Sequence, residues 1–367
     1  MLAAGLALAL AGCSKIVTPV EADGLGLPKV ELRLTSEDYG TLNSNVYARL
    51  QVPAELQLEG RRWQIKVRYS GQTSINNTKK SVTFEFLEER RFRGHRFYGL
   101  SAQSGDPTGF NPIIGFYAFA QAGLQTPEVQ PVTFYVNGEY WGLYFLIEPI
   151  DEDFFARRGQ RLGTLYEATR ANALLSFAEG YDVRMGFENK GEREDYFGDL
   201  EKTIRVLDES QPQELPARLA PLVDAENWLR YLAVSVLLHN FDGYINNYRL
   251  HKSRPEDPFR IIPWDVDHLL EIHPTRSSIF GEPKFSERLL RAPEYRRRYR
   301  EILLELMDAT LRVERLDAVL DETAAQIAQA LAHDRFLGGD AYANAARRKE
   351  SLRQWYAKIR ADLVLLE

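Results

Sequence analysis

Cysteine is almost absent from this chain of 367 residues, since Cys13 is the only one. A single cysteine excludes an intrachain disulfide and a cysteine-rich metal site. An excess of basic residues is missing too: the formal net charge is −6, so we expect no nucleic-acid partner. With 44% hydrophobic and 27% charged residues, the composition predicts a folded protein with a sizeable core.

A long hydrophobic run is also lacking. Residues 1–12 are uncharged and apolar or small, but a helix that spans a membrane needs about 20 residues. The run ends in Leu-Ala-Gly before Cys13, which is typical of a bacterial lipoprotein signal peptide. We therefore expect residues 1–12 to be removed and Cys13 to carry lipid, such as palmitate. A chance cysteine after an apolar start is the alternative, and the basic segment that usually opens a signal peptide is missing.

This interpretation places the protein in the bacterial cell envelope, bound through Cys13 to the extracytoplasmic face of the outer or inner membrane. Residues 13–27 are then the lipidated cysteine and its tether, because they are small, mixed and glycine-bearing. Residues 28–367 form the folded domain. We expect a β-rich lobe over about residues 28–150 and a mostly helical lobe over about residues 151–367.

The apolar pattern predicts an α+β fold. Short strands are expected at residues 30–34, 46–50, 63–69, 82–86, 248–252 and 259–262. Asn137 and Gly138 predict a hairpin of strands 131–136 and 140–147, because this dipeptide favours a tight hairpin turn. Asp224 suits the N-cap of a helix that buries one apolar face. Other helices are expected at residues 111–122, 152–158, 195–207, 293–311, 316–333 and 343–366.

A polar loop over residues 70–78 separates two of the predicted strands. It contains Gly71 and is followed by Lys79 and Lys80. The backbone N–H groups of such a loop, together with a lysine ammonium, can cradle phosphates. One glycine does not make a phosphate-loop motif, so a hairpin with a solvated lysine pair is the alternative.

The most informative stretch is residues 239–267. Asp242 precedes Asn247 by five residues, and Asp265 and Asp267 follow two short predicted strands. A protein-kinase catalytic loop has Asp and Asn at this spacing, with a metal-binding Asp further on. His-Arg-Asp and Asp-Phe-Gly are both absent here. The alternative for Asp242 is a plain turn-capping aspartate.

Asp265 and Asp267 form a D-x-D pair. If the segment is extended, both carboxylates point to one side, and they repel unless a cation lies between them. That arrangement suits oxygen-ligated Mg²⁺ or Ca²⁺. Because D-x-D pairs also hold metal-bound nucleotide sugars, a metal-dependent glycosyltransferase is an alternative function.

The chain resembles the CotH kinase family of spore-coat-type atypical protein kinases. The resemblance rests on Lys79-Lys80-Ser81, Asp106-Pro107-Thr108, the segment 137–144 with Glu148 and Asp151, 240–242, Asn247-Tyr248 and 263–267. It extends from about residue 30 to the C-terminus. It implies a divergent protein-kinase-like fold, ATP and Mg²⁺ or Ca²⁺ as cofactors, and transfer of the ATP γ-phosphoryl group to serine or threonine of a protein substrate.

Carried over residue by residue, the resemblance implies a catalytic base at Asp242 and a main metal ligand at Asp265, with Asn247 as a second ligand. Asp267 is a further candidate ligand from the D-x-D pair. The resemblance also implies three contacts with the cofactors. Lys80 and the loop at Gly71 are expected to bind the phosphates of ATP. Glu148 is expected to pair with Lys80 or to bind the metal.

Two departures from the family pattern concern arginine. The family usually has an arginine before the glycine of the polar loop, where this chain has Ser70, and another shortly after the Asp-Pro turn, where it has Asn111. A lipoprotein also faces away from the cytoplasm, where ATP is scarce. A surface interaction or adhesion module with a kinase-like shell is therefore a second hypothesis, although such a module has no need for an intact Asp242, Asn247 and Asp265.

Overall fold

A computed structural model describes residues 24–367 apart from residues 88–90, 170–172, 174, 177–180, 194, 272–278 and 282. The predicted signal peptide, Cys13 and most of the predicted tether lie outside the described residues. Across the part of the chain that is described, no helix is both long enough and apolar enough to cross a membrane. The expected α+β fold is confirmed, with strands concentrated in the N-terminal part and helices in the C-terminal part.

The N-terminal part is a closed β-barrel. Its strands are β1 (Lys29–Arg33), β2 (Val52–Leu58), β3 (Arg61–Ser70), β4 (Ser81–Phe86), β5 (Phe97–Ser101), β6 (Val129–Val136) and β7 (Glu139–Ile147). They follow the order β1-β2-β3-β4-β5-β7-β6, and a parallel pairing of β1 with β6 closes the barrel. Side chains alternate along β3, so Trp63, Ile65 and Val67 fill the interior while Arg68 and Ser70 face outward.

The predicted hairpin at Asn137 and Gly138 joins β6 to β7. Both residues have positive φ, 52° and 85°, as a type I′ turn requires. The Asn137 side chain also accepts a hydrogen bond of 2.8 Å from the backbone N–H of Leu34. The turn therefore fixes the hairpin register and fastens it to the chain just after β1.

The strand expected at residues 46–50 is wrong. These residues form a 3₁₀ turn, Val46–Ala48, after a first helix, α1 (Ser36–Ser44), and β2 begins only at Val52. The physical reason is Asn45, whose side-chain oxygen accepts hydrogen bonds from the N–H groups of Tyr47 and Ala48 and so favours a turn.

A second sheet of four strands follows the barrel. Its strands are β8 (Thr164–Ala168), β9 (Phe187–Asn189), β10 (Tyr248–Lys252) and β11 (Arg260–Pro263), in the order β11-β10-β8-β9. The β10–β11 hairpin was expected from the sequence. Strands β8 and β9 were not, and they give the mostly helical C-terminal part a sheet of its own beside the barrel.

The remaining helices lie mainly after the barrel. They are α2 (Asn111–Gln121), α3 (Glu152–Ala156), α4 (Gly198–Glu209), α5 (Leu215–Leu219), α6 (Ala225–Leu237), α7 (Pro283–Leu290), α8 (Pro293–Glu305), α9 (Val313–Ala332) and α10 (Ala341–Asp362). A π-helical turn, Leu306–Thr310, continues α8, which explains why the predicted helix there ran to residue 311. The predicted helices therefore correspond to observed ones with shifted ends.

Helix α6 is almost entirely buried and positions the stretch that follows it. Asp224 caps it by accepting a hydrogen bond from the N–H of Asn227, as predicted. At its C-terminus His239 adopts a left-handed φ of 48°, and Asn240 donates a backbone hydrogen bond of 2.7 Å to Ser235. This left-handed ending turns the chain sharply out of the core.

One buried ion pair joins the barrel to the C-terminal helices. The Lys79 ammonium lies 2.9 Å from the carboxylate of Asp334, which follows α9, and it donates a 2.6 Å hydrogen bond to the Leu143 carbonyl in β7. The same carboxylate accepts the N–H of Leu143 at 2.8 Å. Gly142 makes room for it, because a Cβ there would lie 2.3 Å from the Asp334 carboxylate.

Replacing Lys79 by methionine should destabilise the fold strongly. The substitution leaves the Asp334 carboxylate buried without its cation, so we expect the free energy of unfolding to fall by about 3–5 kcal/mol in urea denaturation. The control is Lys66→Met at an exposed position of β3, for which we expect a change within about 0.5 kcal/mol. Equal effects of the two substitutions would show that the pair does not hold the two parts together.

Candidate functional site

A cleft of about 550 Å³ lies between the outer surface of the barrel and the second sheet. The barrel side is formed by β3, β4, β5 and the polar loop that starts at Gly71. The opposite side is formed by β8, β10, the loop after α6 and the segment after β11. A cleft of this size accommodates a ligand as large as a nucleotide.

Asp242 lies in this cleft, at the start of a 3₁₀ turn, Asp242–Tyr244, just beyond α6. The turn is fixed from below: the Tyr231 hydroxyl of α6 donates a 2.7 Å hydrogen bond to the Gly243 carbonyl. A Cβ at position 243 would lie 2.3 Å from the Asn240 amide and 2.8 Å from the Tyr231 hydroxyl, so a larger residue there would displace the side chains that support the turn. Helix packing thereby holds the Asp242 carboxylate at the cleft.

Asn247 connects the loop to the rest of the site. Its backbone N–H donates to the Ala168 carbonyl of β8 at 3.2 Å, and its own carbonyl accepts from Trp264 at 3.1 Å. Its side-chain amide donates to the Asp265 carbonyl at 3.3 Å. Asn246 also lines the cleft and donates to the Asn247 side-chain oxygen at 2.8 Å. The two asparagines thus lie together beside Asp265.

The segment after β11 is not extended at Asp265, and that expectation is corrected. Asp265 has a φ of 46°, in the left-handed region, so simple alternation does not place its carboxylate beside that of Asp267. Both side chains nevertheless line the cleft. The sharp bend brings them there.

The acidic side chains of the cleft repel one another. Surrounding protein raises the pKa of Asp265 to about 6, although the residue opens to solvent at the cleft, and the Asp242 carboxylate adds to the rise. Burial, followed by the charge of Asp265, raises the pKa of Asp267 to about 7. When neighbouring carboxylates cannot easily be ionised at the same time, a bound cation stabilises their ionised forms.

These donors fit a divalent cation. Oxygen atoms of Asp242 and Asp267 and a ring nitrogen of His268 lie within 4.8 Å of one another. Carboxylate and amide oxygens are the preferred ligands of Mg²⁺ and Ca²⁺. Asp242, Asp267 and His268 could therefore hold such an ion. Asp265 and Asn247 line the same cleft but lie outside this group of three, so their part in metal binding stays a prediction.

His268 was missed by the sequence analysis. Its ring lies 3.2 Å from Glu271 and 3.8 Å from Asp267. Burial lowers its pKa, but the charge of Asp267 and the contact with Glu271 outweigh that and raise it. Its place directly after the D-x-D pair was the feature that could have revealed it.

The segment 265–269 is held from behind by residues distant in sequence. The Asn111 side chain donates a 2.5 Å hydrogen bond to the Asp267 carbonyl. Arg348 of α10 donates to the Leu269 carbonyl and, at 3.4 Å, to the Asp106 carboxylate. Asn111 therefore orients this segment.

Gly71 lies on the cleft, as expected for the polar loop, whereas Lys80 is not among the described residues that line it. The Lys80 ammonium donates instead to the carbonyls of Ile75 and Asn77, at 2.8 and 2.9 Å. Lys80 thus stabilises the conformation of the polar loop. The structure does not place the Lys80 ammonium beside the carboxylates of the cleft.

Glu148 is also separated from the cleft. Its buried carboxylate accepts from Arg158 at 2.8 Å and from Arg157 at 3.1 Å, and it lies 3.3 Å from the His95 ring. Burial raises the Glu148 pKa, but His95 and Arg158 outweigh it and lower the pKa to about 2. The predicted pairing with Lys80 is therefore corrected: these nearer cations satisfy Glu148.

The cleft, its loop aspartate and its later carboxylates belong to a kinase-like protein. Residues 67–362 match the family model described as CotH kinase protein, so the chain belongs to the CotH kinase family. Inner spore coat protein H of Bacillus subtilis (strain 168) is 27% identical over 305 residues, which cover 79% of this chain and 84% of that protein. The Helicobacter pylori proinflammatory kinase CtkA has a similar structure at a TM-score of 0.37 and 11% identity, covering 78% of this chain and 92% of that one.

The His95 contacts predict a pH-dependent stability. Burial opposes protonation of His95, but Asp151 and Glu148 outweigh it and raise the pKa to about 9, above the value of about 6.5 in an unfolded chain. This contribution to stability is fully present below about pH 6.5 and is lost as the pH rises through 9. His95→Gln should therefore destabilise the protein more at pH 6 than at pH 9.5 in urea unfolding.

The control is the same substitution at the exposed His333. We expect His333→Gln to change stability by a similar small amount at both pH values. A pH-independent effect at His95 would contradict a protonated ring between the two carboxylates.

Metal binding should appear as a change in thermal stability. With free Mg²⁺ or Ca²⁺ about tenfold above its Kd, the ion should stabilise the wild-type protein by about 1.4 kcal/mol. Asp265→Asn should abolish this gain and, because it removes one of the repelling charges, should raise the melting temperature of the metal-free protein. A metal response that survives in Asp265→Asn would contradict the predicted role of Asp265 as the main metal ligand.

Proposed function

We propose that this protein is a metal-dependent atypical protein kinase that transfers the γ-phosphoryl group of ATP to serine or threonine of a protein substrate. The observation that carries the proposal is the convergence of Asp242, Asn247 and Asp265 in one cleft, with Asp267 beside them. Membership of the CotH kinase family supports it. An adhesion module has no need for this set.

Each residue has a distinct role in the proposed reaction. Asp242, on a turn fixed by α6, accepts the proton of the substrate hydroxyl. Asp265, Asp267 and Asn247 would hold Mg²⁺ or Ca²⁺, and a bound ion would supply positive charge for the phosphates. The protein's own contribution is positioning and electrostatic stabilisation, which dominate phosphoryl transfer.

Phe97 is our candidate contact for the base of the nucleotide. It lines the cleft from β5 and keeps 40% of its surface exposed. An exposed aromatic side chain in a concave site offers a face for stacking. Phe97 belongs to the barrel, whereas the carboxylates belong to the C-terminal part.

We also propose that the protein acts at the cell envelope or a spore coat. The name of its Bacillus subtilis relative, an inner spore coat protein, supports this site of action. Lipid attachment at Cys13 remains a prediction from the sequence. A protein of the coat or envelope with exposed serine or threonine is the corresponding substrate class.

The proposal is tested by phosphate transfer from γ-labelled ATP, to the protein itself and to serine-containing peptides. Asp242→Asn should lower the rate about 100-fold or more because it removes the proposed base, and ATP should still bind because Asp265, Asp267 and Asn247 remain as the proposed metal ligands. Asp265→Asn should abolish metal-dependent ATP binding and turnover together.

Asp257→Asn is the matched control. Asp257 lies in the turn between β10 and β11, pairs with Arg254 and is not among the described residues that line the cleft. Its activity should equal that of the wild type. Undiminished transfer in Asp242→Asn, or no ATP binding by the wild type with either metal, would refute the kinase proposal.

A further inference from the structure

The two sides of the cleft carry opposite charge. The carboxylates of Asp242, Asp265 and Asp267 lie on the side of the C-terminal part, and the guanidinium groups of Arg49 and Arg68 lie on the barrel side. The sequence motifs assign no role to Arg49 or Arg68, because the arginines of the family pattern lie at other positions.

Arg68 is a half-buried cation without an anion. It faces outward from β3, and within the described residues its one hydrogen bond goes to the neighbouring Tyr69 carbonyl at 3.4 Å. Among the described residues, no carboxylate forms an ion pair with it. Burial and the positive charge of Arg49 lower its pKa. Such an arrangement costs free energy unless an anion enters.

Arg49 is held next to it by the polar loop. The residue closes the 3₁₀ turn before β2 with a φ of 50°, and its guanidinium donates a 2.9 Å hydrogen bond to the Gly71 carbonyl. Within the described chain it too has no carboxylate partner. Because a guanidinium group has five N–H donors, this one hydrogen bond leaves others on Arg49 available to a ligand.

The polar loop supplies further donors. Gly71 has a φ of 113° and a Cβ there would lie 2.3 Å from the Ser74 hydroxyl, so the tight bend requires glycine. In the described structure, the backbone N–H groups of Gln72, Thr73 and Ser74 have no hydrogen-bond acceptor. Both lysines after the loop are already engaged with protein groups.

We propose that Arg49 and Arg68 bind the terminal phosphates of a nucleoside triphosphate, in place of the lysine expected from the sequence. This inference rests on the proposed function, because a metal held by the carboxylates would act on the same phosphates. Guanidinium groups bind phosphate oxygens through paired hydrogen bonds. Two of them, with the loop N–H groups, compensate for Ser70, where the family has arginine.

The test is calorimetric binding of ATP and of inorganic tripolyphosphate to the full chain with Mg²⁺. Arg68→Met and Arg49→Met should each weaken binding of both probes about tenfold or more, because each removes a charge-assisted contact. The matched control is Arg62→Met, on the same strand and face as Arg68, where the side chain is exposed and 3.9 Å from Glu55. It should leave both affinities unchanged.

The outcomes separate this inference from the kinase proposal. If the wild type binds ATP and the two arginine variants bind it equally well, the inference is wrong and the kinase proposal stands. If the wild type binds tripolyphosphate but not ATP, and the variants lose it, the arginine site stands and the ATP donor is wrong. Binding of neither probe overturns both. Arg49 is exposed, so its variant keeps the test valid even if Arg68→Met unfolds.

Discussion

Mutual repulsion among Asp242, Asp265 and Asp267 is the constraint on which this structure depends. Burial, and after it the neighbouring carboxylates, raise the pKa values of Asp265 and Asp267, and like charges this close separate unless the backbone beneath them is rigid. The chain meets this requirement with buried elements on every side: helix α6 below the first carboxylate, the β10–β11 hairpin before the others, and hydrogen bonds from Asn111 and Arg348 behind them. Part of the folding free energy is thus used to hold like charges close together.

The cations of the barrel show the opposite use of charge. Lys79 is fully engaged in joining two parts of the chain, whereas Arg68 has no anion among the described residues. The role of a basic residue in this barrel therefore depends on how deeply it is buried and on whether an anion pairs with it. The family's lysine pair supports the architecture here, and the positive charge at the cleft comes from other positions.

Much of the fold was predictable from the sequence because its determinants are local. The Asn137-Gly138 turn, the Asp224 cap and the spacing of Asp242 and Asn247 all act within a few residues. What could not be predicted depends on pairing between distant residues. Lys79 pairs with Asp334, which is 255 residues away in the sequence, and β8 pairs with β10 across a long intervening segment. Neither contact can be predicted from a short stretch of sequence.

The buried pair of Lys79 and Asp334 has a consequence for how a ligand enters and leaves. Rotating the barrel away from the C-terminal helices would separate two charges that have 2% and 0% side-chain exposure, at a cost of several kcal/mol. Hinge opening of the two lobes is therefore a poor route for exchange. In the proposed reaction, access to the cleft would then depend on surface segments at its rim, such as the polar loop at Gly71.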